Sequence, residues 1–182
     1  LGQGESGDLL YVGRIGAYGD MTESANVTFG ASHANGPAGF EFDAVSGSSH
    51  TLKADFHGLD LTFRWKNPRR AIDRSLFWQT EVFWSRRSMA DIEPVESMGL
   101  FTHVEYQWAR RWKVGARWDW TELPQNSDER VQGSLGYVTF TPSEFSLVSL
   151  QGKKVRREDG QRESLGFLKV TFNIGPHGAD PF

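Results

Sequence analysis

The stretch YQWARRWKVGARWDW, Tyr106 to Trp120, decides the reading of this chain. Trp112, Val114, Ala116, Trp118 and Trp120 stand at every second position, with Lys113, Gly115, Arg117 and Asp119 between them. Strict alternation marks a β-strand with two unlike faces. Arginine on the lipid side near mid-membrane costs about 2–4 kcal/mol. The rings are therefore expected to face hydrocarbon, and Lys113, Arg117 and Asp119 to face a watery interior.

Composition is consistent with that reading. The chain has 182 residues, 38% of them hydrophobic, with a mean hydropathy of −0.50. No apolar run approaches the roughly 18 residues of a membrane-crossing helix. Aromatics at 13% and 20 glycines suit strands and tight turns. With no cysteine there is neither a disulfide framework nor a thiolate metal site. The net charge of −3 argues against a general nucleic-acid binder. The start, LGQGESGDLL, has neither Met nor a signal-peptide pattern, as expected for a mature product or part of a longer chain. Nothing in the composition breaks 1–182 into more than one domain.

Working outward from 106–120, alternation and turn punctuation predict nine strands, at 8–18, 24–34, 50–65, 75–87, 97–109, 112–122, 131–141, 145–157 and 163–175. Most run to roughly 11–14 residues, nearer a transmembrane β-strand than the usual soluble one. The connections at ARR, TPSE, GDMTES and KNPRRAIDRS are compact. Those at HANGPAGFEFDAVSGSS, SMADIEPVES, ELPQNSDE and RREDGQRE are longer or more acidic. Short turns at one end and long loops at the other are the arrangement of an outer-membrane barrel.

The same parity rule places Ala25, Val27, Phe29 and Ala31 outward, and Leu76, Trp78, Val82 and Trp84 outward. Leu168, Val170, Phe172 and Ile174 follow on the last strand. Strand 131–141 is ambiguous, and the parity of 50–65 breaks near Gly58, where a bulge is expected. Trp65, Trp78, Trp108 and Trp112 fall near the compact turns, and Trp84 and Trp120 toward the loops. Two aromatic girdles at the membrane boundaries are the expectation. Counting directions makes both the first and the last strand run toward the periplasm. An odd strand number is awkward for a complete bacterial barrel. The expectation is the C-terminal part of a larger barrel, the alternative a closed barrel of eight or ten strands.

The segments YQWARRWKVGARWDWTELPQNSDER, VTFTPSEFSLVSLQ and LKVTFNIGPHGADPF, with LTFRWKNP at 61–68, resemble a porin-like outer-membrane β-barrel family. Its members are often described as TonB-dependent or zinc-regulated outer-membrane receptors. The resemblance covers about half the chain and implies an all-β, antiparallel, up-and-down transmembrane barrel in the outer membrane of a diderm bacterium. It does not carry over a substrate, and no plug or TonB-box-like segment is seen. Outer-membrane proteins commonly end with the last strand itself, closing on Phe. Here GPHGADPF follows the alternation, and a tail folded back as a periplasmic plug or latch is the expectation for it.

The charges expected to line the interior are Arg14, Arg64, Glu81, His103, Glu105, Lys113, Arg117, Asp119 and Lys169, with Asp60 beside them. Their mixed signs exclude a single-sign selectivity ring. Glu105 and Lys113 are expected to pair across the ARR turn. Acidic residues in the outer loops, Glu41, Asp43, Asp91 and Glu93 among them, are expected to form a solvated surface bridged to lipopolysaccharide phosphates by divalent cations; the alternative is a vestibule that concentrates cations. His33, His50 and Asp55 are the candidate metal ligands at the outer mouth. No cofactor is implied.

The function expected is a conduit for small solutes or ions. The alternatives are a non-conducting component of an outer-membrane assembly and a lipid hydrolase. The hydrolase has little support, because there is no G-x-S-x-G elbow and His103 has only Glu105 as a same-face near neighbour. Expected partners are outer-membrane lipid and lipopolysaccharide, with further strands or subunits, and no nucleic acid.

Overall fold

The computed structural model describes residues 9–43, 48–69, 73–89, 92–123 and 126–173. Nine strands follow one another: β1 (Tyr11–Thr22), β2 (Ala25–Asp43), β3 (Ser48–Lys66), β4 (Ser75–Met89), β5 (Ile92–Ala109), β6 (Trp112–Leu123), β7 (Asn126–Ser143), β8 (Ser146–Arg157) and β9 (Arg162–Phe172). They form one sheet in chain order, every neighbour antiparallel. No helix occurs among the described residues. All nine predicted strands are present.

The pairing register shows which residues share a face. Leu59 pairs with Val82, Val82 with Leu100, and Leu100 with Trp120, which sets one face. Alternation from that row puts all seven tryptophans on it: Trp65, Trp78, Trp84, Trp108, Trp112, Trp118 and Trp120. Strand 131–141 resolves with Ser134, Gly136, Val138 and Phe140 on the tryptophan face and Leu135 and Tyr137 on the other. The bulge expected at Gly58 is absent. The β2–β3 and β3–β4 ladders run unbroken through it, and the β2–β3 register shifts instead between Pro37 and Gly39. Phe56 creates the apparent parity break. It lies on the charged face and stacks on Phe83 at 5.5 Å.

Contacts that skip a strand reveal the curvature. Arg14 on β1 reaches Asp60 on β3 across Gly30. His103 and Glu105 on β5 both reach Tyr137 on β7 across Gly115 of β6. Side chains two strands apart converge only where the sheet bends toward them, so the charged face is concave. On the tryptophan face the ring contacts join adjacent strands, as Trp112 does with Phe140 at 4.6 Å. That face is convex.

A soluble domain buries an apolar face against a second layer. Among the described residues there is only the sheet. Among the described residues Ala25 is the one buried apolar residue. Many convex side chains stay open, Trp118 at 40% and Leu168 at 70% among them. A contiguous apolar surface of this kind marks a face covered by something else.

The apolar band crosses the hydrogen-bond rows obliquely. One row reads Ala31, Leu59, Val82, Leu100, Trp120, Gln132, Arg156, Arg162 from β2 to β9. It is greasy as far as β6 and polar beyond. Strands tilted to a barrel axis produce this slope.

The loop expectation needs correction. The segments 33–43 and 48–57 are paired strand, from His33 opposite His57 to Asp43 opposite Ser48. Likewise Arg87 pairs with Val95 and Met89 with Ile92. The long outer "loops" are largely strand extensions, because ladder hydrogen bonds need no apolar side chains. The longest connection, 67–74, lies at the other end, with the compact turns. At the outer β8–β9 turn Gly160 adopts φ +87°, a left-handed geometry that glycine tolerates. The tail GPHGADPF lies outside the described residues. Since directions alternate over nine strands, β1 and β9 run the same way, each ending at the compact-turn side.

Candidate functional site

The concave face holds all nine charged positions expected to line an interior: Arg14, Arg64, Glu81, His103, Glu105, Lys113, Arg117, Asp119 and Lys169. Asp60 joins them. Two clusters organise it, each built over a glycine.

In the first, Arg14 Nη1 donates to Asp60 Oδ2 at 2.5 Å and Nη2 donates to Asp60 Oδ1 at 2.8 Å. The paired fork lies directly over Gly30, where an added Cβ would come within 2.3 Å of both side chains. Planar guanidinium and carboxylate match two bonds at once, and this fixes their orientation.

In the second, Lys113 Nζ donates to Glu105 Oε1 at 2.9 Å, the pair expected across the ARR turn. The hydroxyl of Tyr137 donates to Glu105 Oε2 at 2.8 Å, and His103 Nε2 lies 2.8 Å from the same hydroxyl. The ring of Tyr137 covers Gly115. One residue row away, Arg117 Nη2 meets Asp119 Oδ1 at 2.6 Å, with its guanidinium 4.2 Å from the centre of the Phe101 ring. Arg64 lies over Phe77 at 5.3 Å.

Sequence reasoning missed the aromatic residues of this face: Phe56, Phe77, Phe83, Phe101 and Tyr137. Their signal was present, because each stands at the parity of the charges on its own strand. Together they make the concave surface a set of charged pairs propped on rings. Such a surface can hold polar solutes by hydrogen bonds and fixed charge. The hydroxyl beside His103 is the phenol of Tyr137, and Glu105 already holds that phenol.

The candidate metal ligands are not brought together. His33 pairs with His57, the two Nδ1 atoms 3.3 Å apart, on the convex face. Asp55 accepts from Asn35. His50 pairs with Glu41 in the ladder, five residues before Asp55, and its side chain lies outside the described ones. Among the described residues no group of three or more His, Asp or Glu could hold a metal ion. Of the loop carboxylates, Glu96 meets Arg86 at 3.6 Å and Glu122 meets Arg130 at 3.9 Å. Glu41, Asp43 and Asp91 lie outside the described side chains.

No family model matches this chain, and no curated protein does. A solved structure, outer-membrane expressed OmpT of Vibrio cholerae, matches in fold with a TM-score of 0.54 at 12% identity. The match covers 86% of this chain and 49% of that one, so this chain spans about half the length of its neighbour. At that identity the likeness concerns the fold alone. The chain is an all-β, antiparallel, up-and-down sheet with the architecture of an outer-membrane β-barrel.

Proposed function

We propose that this chain lies in a bacterial outer membrane, as part of a β-barrel that conducts small polar solutes or ions. The observation that carries the reading is the separation of the two faces. All seven tryptophans stand on the convex side with no second layer over them among the described residues, while the charged pairs stand on the concave side. Hydrocarbon is the covering that suits exposed rings and aliphatics in a sheet with no core. The concave charges then line a hydrated path. Selectivity comes from position: mixed-sign pairs give a transverse field and no net filter.

The finer resemblance, to TonB-dependent or zinc-regulated receptors, rests on the sequence segments quoted above and belongs to this proposal. So does the partnership with further barrel strands or subunits. No covalent chemistry is assigned.

Planar-bilayer recording of the protein in its full-length form tests the conduit. Stepwise conductance is expected, with ion selectivity altered by Glu105→Gln and by Arg14→Gln. A folded, inserted barrel that passes no current would favour the assembly role instead. Placement is tested separately. Acyl chains carrying bromine should quench the indole fluorescence, and aqueous iodide should not.

A further inference from the structure

The convex face carries a second feature, across the middle of β6–β9. Ala116 pairs with Gly136, Gly136 with Gly152, and Gly152 with Gly166. Four adjacent strands thus present small residues in one row, and an added Cβ at any of the three glycines would meet nothing within 4 Å. The result is an open apolar groove of about 1210 Å³, walled by Trp78, Val104 and Trp118. Immediately above it, toward the outer loops, the surface turns cationic. Lys154, Arg156 and Arg162 are exposed on the same face and line a cleft of about 470 Å³ with Gln132, Ser134 and Ser164. No ion pair joins these three cations to a carboxylate among the described residues. Arg130, in the next row, does meet Glu122, at 3.9 Å.

The oblique band explains why this spot is unusual. On β2–β6 the corresponding row is still apolar, and beyond it the convex cation of β4, Arg86, meets Glu96 at 3.6 Å, whereas Lys154, Arg156 and Arg162 on β8–β9 stand at the edge of the greasy band with no such partner among the described residues. A cation there has a short path to headgroup phosphate, and the groove beneath has room for an acyl chain. Charge above and hydrocarbon below match a single kind of molecule. We propose that Lys154, Arg156 and Arg162, with the groove over Gly136, Gly152 and Gly166, bind a phosphorylated lipid of the outer leaflet. Its phosphates lie among the three cations and one acyl chain lies in the groove. Ser134, Ser164 and Gln132 supply further donors to the phosphate oxygens. This rests on the convex face lying against lipid.

Native mass spectrometry of the detergent-purified full-length protein tests it, with bisphosphorylated lipid A as the probe. The comparison arms are lipid A stripped of phosphate and inorganic phosphate alone. The expected result is one retained bisphosphorylated lipid, little retention of the stripped lipid, and no displacement by millimolar phosphate. The variant K154Q/R156Q/R162Q should lower affinity roughly a hundredfold, at about fivefold per cation near an anionic surface. Gly152→Leu, which fills the groove and leaves the charge, should weaken binding of the same lipid. Lys169→Gln, on the opposite face and outside the groove, should leave lipid retention unchanged. Heat-modifiable migration on gels shows that each variant is folded. Unchanged retention by the folded triple variant, or equal retention of the stripped lipid, overturns the site and leaves the conduit reading standing. Water solubility of the native protein without detergent overturns both. Loss of conductance alone overturns only the conduit.

Discussion

Glycines on the two faces of this sheet do opposite things. On the concave side Gly30, Gly99 and Gly115 each lie beneath a neighbour's side chain: the Arg14–Asp60 fork, the Phe83 ring and the Tyr137 ring. On the convex side Gly136, Gly152 and Gly166 lie beneath nothing. Curvature accounts for the contrast. Bending crowds one surface until long side chains must cross a strand, which they can do only where that strand offers no Cβ. It spreads the other surface, and a missing side chain there leaves a furrow. The residue type is shared, and the role follows from the side it faces.

Four substitution pairs would break or sharpen that contrast. The largest effect belongs to charge. Leu150→Arg puts a cation on the convex face within the apolar band and should cost about 2–4 kcal/mol. Leu135→Arg, on the concave face, should cost less than about 1 kcal/mol. Urea unfolding from phosphocholine vesicles reads both, and equal losses would undo the assignment of faces.

Volume comes next. At Gly115 a Cβ would lie 2.2 Å from the Tyr137 ring. Gly115→Val should therefore destabilise by about 1–3 kcal/mol through overpacking. Gly152→Val should stay within about 0.5 kcal/mol of the parent, because its side chain enters open space. A Gly115→Val protein as stable as the parent would show that Tyr137 does not need its place over β6.

The concave pairs themselves should matter less. Lys113 and Glu105 are 40% and 25% exposed, so solvent screens them. A double-mutant cycle with Lys113→Gln and Glu105→Gln should give a coupling of about 0.2–1 kcal/mol. A coupling of several kcal/mol would mean a drier interior than the structure implies. An effect of similar size is expected on the convex side. Trp78 donates its Nε1–H to Thr102 Oγ1 at 3.0 Å. Thr102→Val should lower stability by about 0.5–1.5 kcal/mol, the net worth of one such bond. Thr62→Val, on the concave face of β3, provides the comparison for that loss.

Strands were legible because alternation is written in side chains. The stretch 106–120 alone fixed two faces, and its parity extended to Trp65, Trp78 and Trp84. The outer hairpin extensions were not legible. Segments such as HANGPAG pair through backbone groups, and no apolar rhythm announces them. Phe56 misled in the opposite direction, since a ring at a charged position reads as a bulge until its partner Phe83 is known. Of the site, the Glu105–Lys113 pair followed from adjacency across a short turn. The Arg14–Asp60 and His103–Tyr137 contacts did not, because each joins strands that are not neighbours. Only the bend of the sheet brings them within reach, and a linear sequence carries no direct sign of bending.

The matching direction of the two rim strands has a consequence for how a ring can be completed. If β9 were laid against β1, from this molecule or from another copy set in the membrane the same way up, the seam would be parallel. Every other seam in the sheet is antiparallel. An all-antiparallel ring therefore needs an odd number of additional strands between the two rims. The first and last of them must run opposite to β1 and β9; a second copy set the same way up adds nine strands, an odd number, but with its own rims in the wrong direction.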